Sequence, residues 1–96
     1  MKSSTTEFLP AARIFQALAH PARLLLLRRL MEKECCVSEV ERRLGISQPN
    51  VSQHLKVLKE AGLIAGRRDK TRVCYRIADE RIERILKILW EGNKKP

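Results

Sequence analysis

Long apolar runs are missing from this 96-residue chain: the longest is the four leucines Leu24–Leu27, far short of the ~18 or more residues that cross a bilayer. The opening segment, Met1-Lys2-Ser3-Ser4-Thr5-Thr6, lacks the apolar stretch of a secretion signal. Both absences predict a cytoplasmic protein. Cysteine is scarce at three residues, too few for the disulfide framework of a small secreted domain, which again favours a reducing compartment and thiolate chemistry. Aromatics are few, two Phe, one Tyr and one Trp, and a platform that stacks single-stranded bases needs more. Negative charge is short as well: 20 Lys and Arg face 11 Asp and Glu, a net charge of +9. Such a chain holds a standing positive potential and gathers polyanions. A length below the ~100–150 residues of a typical domain leaves one core and excludes a catalyst with a cleft between lobes. The sequence has no Gly-rich phosphate loop and no thiol beside a histidine, so it offers no catalytic constellation. The expectation is one basic, nucleic-acid-binding domain that is not an enzyme.

What is present is a hydrophobic content of 44% with 32% charge, ordinary for a folded soluble chain, and its periodicity maps the elements. One domain is expected over residues 8–91, between loose ends at 1–7 and 92–96. Phe8, Ala11, Phe15 and Leu18 recur at helical spacing over 8–18. Pro21 then opens a leucine-rich helix to Glu32, apolar on nearly every side and so expected to be the core. Cys35-Cys36-Val37 is short and extended. Ser38 is placed as the N-cap of a helix ending at Leu44, with Gly45 closing it. Ser47 is placed as a second N-cap, and Val51, Leu55 and Leu58 form one narrow apolar stripe that runs until Gly62. From Leu63 to Ile77 the period drops to two, which predicts a hairpin with a basic tip. A last helix over about 79–91 carries Ile82, Ile85, Leu86, Ile88, Leu89 and Trp90.

Two short helices across a tight Gly-containing turn make a helix-turn-helix, in which the second helix enters the major groove of double-stranded DNA. That second helix has the required two faces. Opposite its apolar stripe lie Ser47, Gln48, Asn50, Ser52, Gln53, His54 and Lys56; amides bond a base edge through two groups at once, hydroxyls serve as donor or acceptor, and the helix N-terminus favours phosphate. At the hairpin tip Arg67, Arg68, Lys70 and Arg72 crowd together, where like charges repel unless an anion sits among them. DNA phosphates supply it. The competing readings are a solvated helix face and a loop kept soluble by its charge.

Three segments, Ala17-Leu18-Ala19-His20-Pro21-Ala22-Arg23, Ser47 to Ile64 and the stretch from Arg67 to Tyr75, together resemble the ArsR/SmtB family of winged-helix repressors over roughly residues 8–90. The resemblance implies a mainly α fold with a small β-hairpin wing, in the order α-α-(β)-α-α-β-β-α. It also implies a homodimer joined through the terminal helices, bound to a pseudo-palindromic operator and released by an inducer, usually a metal or metalloid. Phe8, Ile14, Phe15, Ile82, Ile85, Leu86, Leu89 and Trp90 are the expected dimer interface, since the terminal helices carry more apolar surface than a small monomer easily covers. An adaptor or an RNA-binding winged helix is the rival class.

Arsenic sensors of that family resemble one another in a Cys-Val-Cys stretch, where this chain has Cys36-Val37-Ser38. A Ser oxygen replaces one thiolate poorly for As(III), Sb(III), Cd(II) or Hg(II). Cys74 is a possible substitute. In a winged helix the segment before the helix-turn-helix pairs with the second wing strand, and alternation then puts Cys36 and Cys74 on one face, away from Val73, Tyr75 and Ile77. Cys35, Cys36 and Cys74 are therefore candidate soft-ion ligands or an oxidation pair; as the alternative, they are small apolar fillers. A zinc site in the last helix is not expected, because Asp79, Glu80 and Glu83 lack a histidine partner there. His20 is read as a cap or turn residue.

Overall fold

The computed structural model describes residues 5–45 and 47–92. A 3-10 turn, Thr5–Phe8, leads into α1 (Leu9–Leu18), followed by α2 (Pro21–Glu32), β1 (Cys35–Cys36), α3 (Val37–Leu44), α4 (Gln48–Glu60), β2 (Ile64–Asp69), β3 (Arg72–Ile77) and α5 (Glu80–Gly92). The expected order of elements holds. Residues 5–7 of the expected loose start belong to the exposed 3-10 turn; residues 1–4 and 93–96 lie outside the described residues.

Local chemistry accounts for the boundaries. His20 is extended and its Nδ1 accepts the Ala22 N–H at 3.0 Å, which caps α2 ahead of Pro21. Gly45 and Gly62 both take positive φ, at 67° and 79°, where a side chain is strained, and so end α3 and α4. Ser38 is not a cap: extended Cys36 stands at the N-terminal boundary, so α3 starts at Val37, two residues earlier than the hydroxyl suggested. Ser47 does occupy the boundary of α4, but without a side-chain cap bond.

The three-stranded antiparallel sheet has the order β1-β3-β2. Its register sets Cys36 against Cys74, Arg67 against Cys74, and Gly66 against Tyr75. Gly66 leaves room for the Tyr75 ring, since a Cβ would come 2.8 Å from it and one of the two would have to shift. Lys70 turns the hairpin at φ 61°, a conformation that Gly or Asn adopts more easily.

One core joins these elements. Leu26, Leu27 and Leu30 of α2 pack with Val40, Val51, Leu55, Leu58, Leu63, Ile64, Ile82 and Leu86. The leucine run is not buried all round, because Leu25 remains exposed. Full burial of each aliphatic side chain in this cluster is worth about 1.5–3 kcal/mol, and that burial fixes which face of α4 is left for a partner.

Candidate nucleic-acid interface and thiol site

Burying Val51, Leu55 and Leu58 rotates the opposite face of α4 outward, and Asn50, Ser52, Gln53 and Lys56 are exposed. Ser47 is exposed at the entry to the helix. The Gln48 side chain lies outside the described residues. His54 is half-buried, its ring centroid 4.5 Å from that of His20. Burial, followed by the nearby His20 and Arg23, holds its pKa below the ordinary imidazole value.

The hairpin stands beside this face. Ser52 of α4 shares a depression of about 500 Å³ with Ser38 and Glu41 of α3 and with Thr71, Arg72 and Val73 of the wing. Helix-turn-helix and wing tip therefore bound one concavity. Arg68, Lys70 and Arg72 are exposed.

Arg67 differs from its neighbours and from expectation. Its guanidinium donates to both carboxylate oxygens of Glu34, at 2.8 and 3.0 Å. This two-point bond drives the Glu34 carboxyl below its ordinary pKa and raises that of Arg67. Arg72 also approaches Asp69, at 3.9 Å. Intramolecular carboxylates thus answer part of the charge crowding that sequence reasoning assigned wholly to phosphate. Glu34 carries no local signal of this role, since it lies 33 residues from Arg67.

The thiol expectation is met in its geometry. Cys36 and Cys74 are paired across β1 and β3 and joined by a disulfide, so a low cysteine count does not exclude a single bridge. Both are buried yet outside the main apolar cluster. Arg67 sits directly opposite Cys74 and reaches Glu34, two residues before Cys36, so its side chain crosses β3 beside the disulfide. Among the described residues no group of three His, Cys, Asp or Glu side chains is placed to hold a metal ion. With the Cys36 and Cys74 sulfurs bonded to each other, the three-thiolate set does not fit a metal in this oxidation state. The Cys35 side chain lies outside the described residues. Asp79 is engaged by Arg81, which donates to it at 2.7 and 3.0 Å.

The expected dimer residues divide. Ile82 and Leu86 are buried inside the chain's own core, while Phe8, Phe15, Ile88 and Leu89 are 62%, 58%, 69% and 56% exposed. Ile14, Ile85 and Trp90 are half-buried, with Arg28 stacked over the Trp90 ring at 5.3 Å. Phe15 and Ile85 also line one shallow apolar hollow, which brings α1 and α5 together. Leu9, also exposed, was not among the residues expected there. No helix among the described residues is long and apolar enough to cross a membrane.

Residues 20–65 match the family described as bacterial regulatory protein, arsR family. A biofilm growth-associated repressor of Agrobacterium fabrum is 40% identical over 90 residues, which is 94% of this chain and 74% of that protein. A probable mercury resistance operon repressor of Streptomyces lividans is 40% identical over 75 residues, 78% of this chain and 60% of the relative. A homodimeric winged helix-turn-helix DNA-binding domain from Mycobacterium bovis, solved by NMR, superposes with a TM-score of 0.84 at 32% identity, covering 96% of this chain and 87% of that one. Sequence likeness across nearly the whole length and the same architecture agree: the chain belongs to the arsR family, a family of winged helix-turn-helix transcriptional repressors that bind DNA and are not enzymes.

Proposed function

We propose that the protein represses as a homodimer on a pseudo-palindromic operator, in the cytoplasm, and that thiol chemistry at Cys36 and Cys74 governs its release. The observation that carries the DNA reading is the shared concavity of α4 and the wing, rimmed by Ser52, Thr71 and Arg72. In this reading Asn50 and Gln53 read base edges, and Ser47, Gln48, Ser52, His54 and Lys56 support them. Arg68, Lys70 and Arg72 take flanking phosphates, and Arg67 is withheld by Glu34. The exposed Phe8, Leu9, Phe15, Ile88 and Leu89 support pairing through the terminal helices, which places two recognition helices about one DNA turn apart. The test is Gln53→Ala against an operator selected from a random duplex pool. Loss of a bidentate base contact costs about 1–3 kcal/mol on the specific site and little on unrelated DNA; equal loss on both removes Gln53 from base reading.

The disulfide favours oxidation as the switch. Two thiols lose two protons and two electrons, and a low-molecular-weight disulfide accepting them by exchange leaves as two thiols. The new bond ties the strand that starts α3 to the second wing strand, fixing the wing against the helix-turn-helix. The reduced protein is then the tighter binder. Cys36→Ser keeps the reduced affinity under oxidising conditions, whereas wild type loses about tenfold or more, a shift of ~1.4 kcal/mol. Equal affinity of oxidised and reduced wild type refutes the switch. The mercury repressor relative supports a second reading, in which As(III), Sb(III) or Cd(II) acts on the reduced cysteines; titrating each ion against the reduced protein–DNA complex separates the two.

A further inference from the structure

On the side of α4 away from the wing, a cavity of about 480 Å³ is lined by His20, Arg23, Asn50, Gln53, His54 and Val57. Five of the six offer N–H donors, and none is a carboxylate. The Nδ1 of His20 is committed to the Ala22 N–H, so the neutral ring carries its proton on Nε2. Arg23 lines the cavity, while its Nε is itself shut off from solvent and has no hydrogen-bond partner, an arrangement costly for a charged group. No carboxylate among the described residues pairs with Arg23, although Glu60 and Arg13 border the adjoining hollow on its other side. The cavity opens at the start of α2, whose dipole adds positive potential. Its electrostatics therefore call for an anion.

We propose that this cavity holds a backbone phosphate of bound DNA, ligated by Arg23, His20 and His54, so that the start of α2 is a third anchor beside α4 and the wing. The proposal rests on the reading of α4 as the groove helix. Asn50 and Gln53 form its rim and are also the proposed base readers, so a phosphate here belongs to a nucleotide next to the bases they address. Arg23 supplies one fixed positive charge, which matches the single negative charge of a phosphodiester better than the mixed mono- and dianion of free phosphate at neutral pH.

The test measures duplex affinity against salt concentration for the full chain and for Arg23→Gln, His54→Gln and His20→Asn, the last retaining a capping oxygen for α2. Arg13→Gln and Arg68→Ala are the comparisons. The salt slope of Arg23→Gln should be shallower than that of wild type by about one per protomer. The two histidine variants should bind severalfold more weakly while keeping wild-type circular dichroism, and Arg13→Gln should keep the wild-type slope. A folded Arg23→Gln with an unchanged slope, while Arg68→Ala still lowers it, overturns the proposal and leaves the DNA reading standing. Failure of wild type to bind duplex at all overturns both. If Arg23→Gln does not fold, unchanged affinity of both histidine variants overturns the proposal by itself. A second arm follows the imidazole NMR signals of His20 and His54. Stoichiometric duplex should shift them, with inorganic phosphate having little effect; saturation by inorganic phosphate, with no response to duplex, assigns the cavity to a small free anion instead.

Discussion

Helices α4 and α5 are each 13 residues long and each buries one apolar stripe, yet what they leave outside is opposite. The outer face of α4 carries Asn50, Ser52, Gln53 and Lys56, whereas α5 ends with Ile88 and Leu89 in solvent. Burial of the stripe fixes orientation in both; the exposed chemistry then selects the partner. Amides and hydroxyls at a helix start suit the edges of base pairs. Two large aliphatic side chains in water suit another apolar surface, in the function proposed above a second copy of the chain.

The largest expected effect breaks the α5 side. Replacing Ile88 and Leu89 together by Glu should convert the proposed dimer to a folded monomer in sedimentation. It should also weaken operator binding by about 100-fold or more, since the second half-site is then no longer held at high effective concentration. A dimer that survives this double change is joined elsewhere. A smaller effect sharpens the α4 and wing side, where one arginine is clasped and others are open. Arg68→Ala and Arg72→Ala should each make the salt slope shallower by about one per protomer, while Arg67→Ala leaves it nearly unchanged. The smallest concerns the clasp itself. The Glu34 carboxyl titrates below its ordinary value because Arg67 bonds it, so its stabilisation is present above the unfolded carboxyl pKa and fades as pH falls through the folded one. Melting temperatures of wild type and Glu34→Gln should differ at neutral pH and converge in acid; a constant difference across that range contradicts the clasp.

The stripe of α4, its glycine stop and the alternating wing were legible in sequence because each rests on neighbours a few residues apart. The pairing of Cys36 with Cys74 was legible too, since strand alternation and one topological rule suffice. The clasp of Arg67 by Glu34, the ring of Tyr75 over Gly66, and the meeting of His20 and Arg23 with His54 were not, because each depends on how distant segments pack. The expected interface was too broad for a related reason. Ile82, Ile85, Leu86 and Leu89 share one helical stripe, and periodicity cannot show where the protomer core ends along it. The structure buries Ile82 and Leu86, packs Ile85 and Trp90 partly against the core and leaves Ile88 and Leu89 exposed.

Methylation protection of guanine N7 on a selected operator tests the central claim most directly, because N7 lies in the major groove. The account predicts two protected patches about one helical turn apart, both lost in the Ile88 and Leu89 double variant. Binding that leaves every N7 reactive would contradict it.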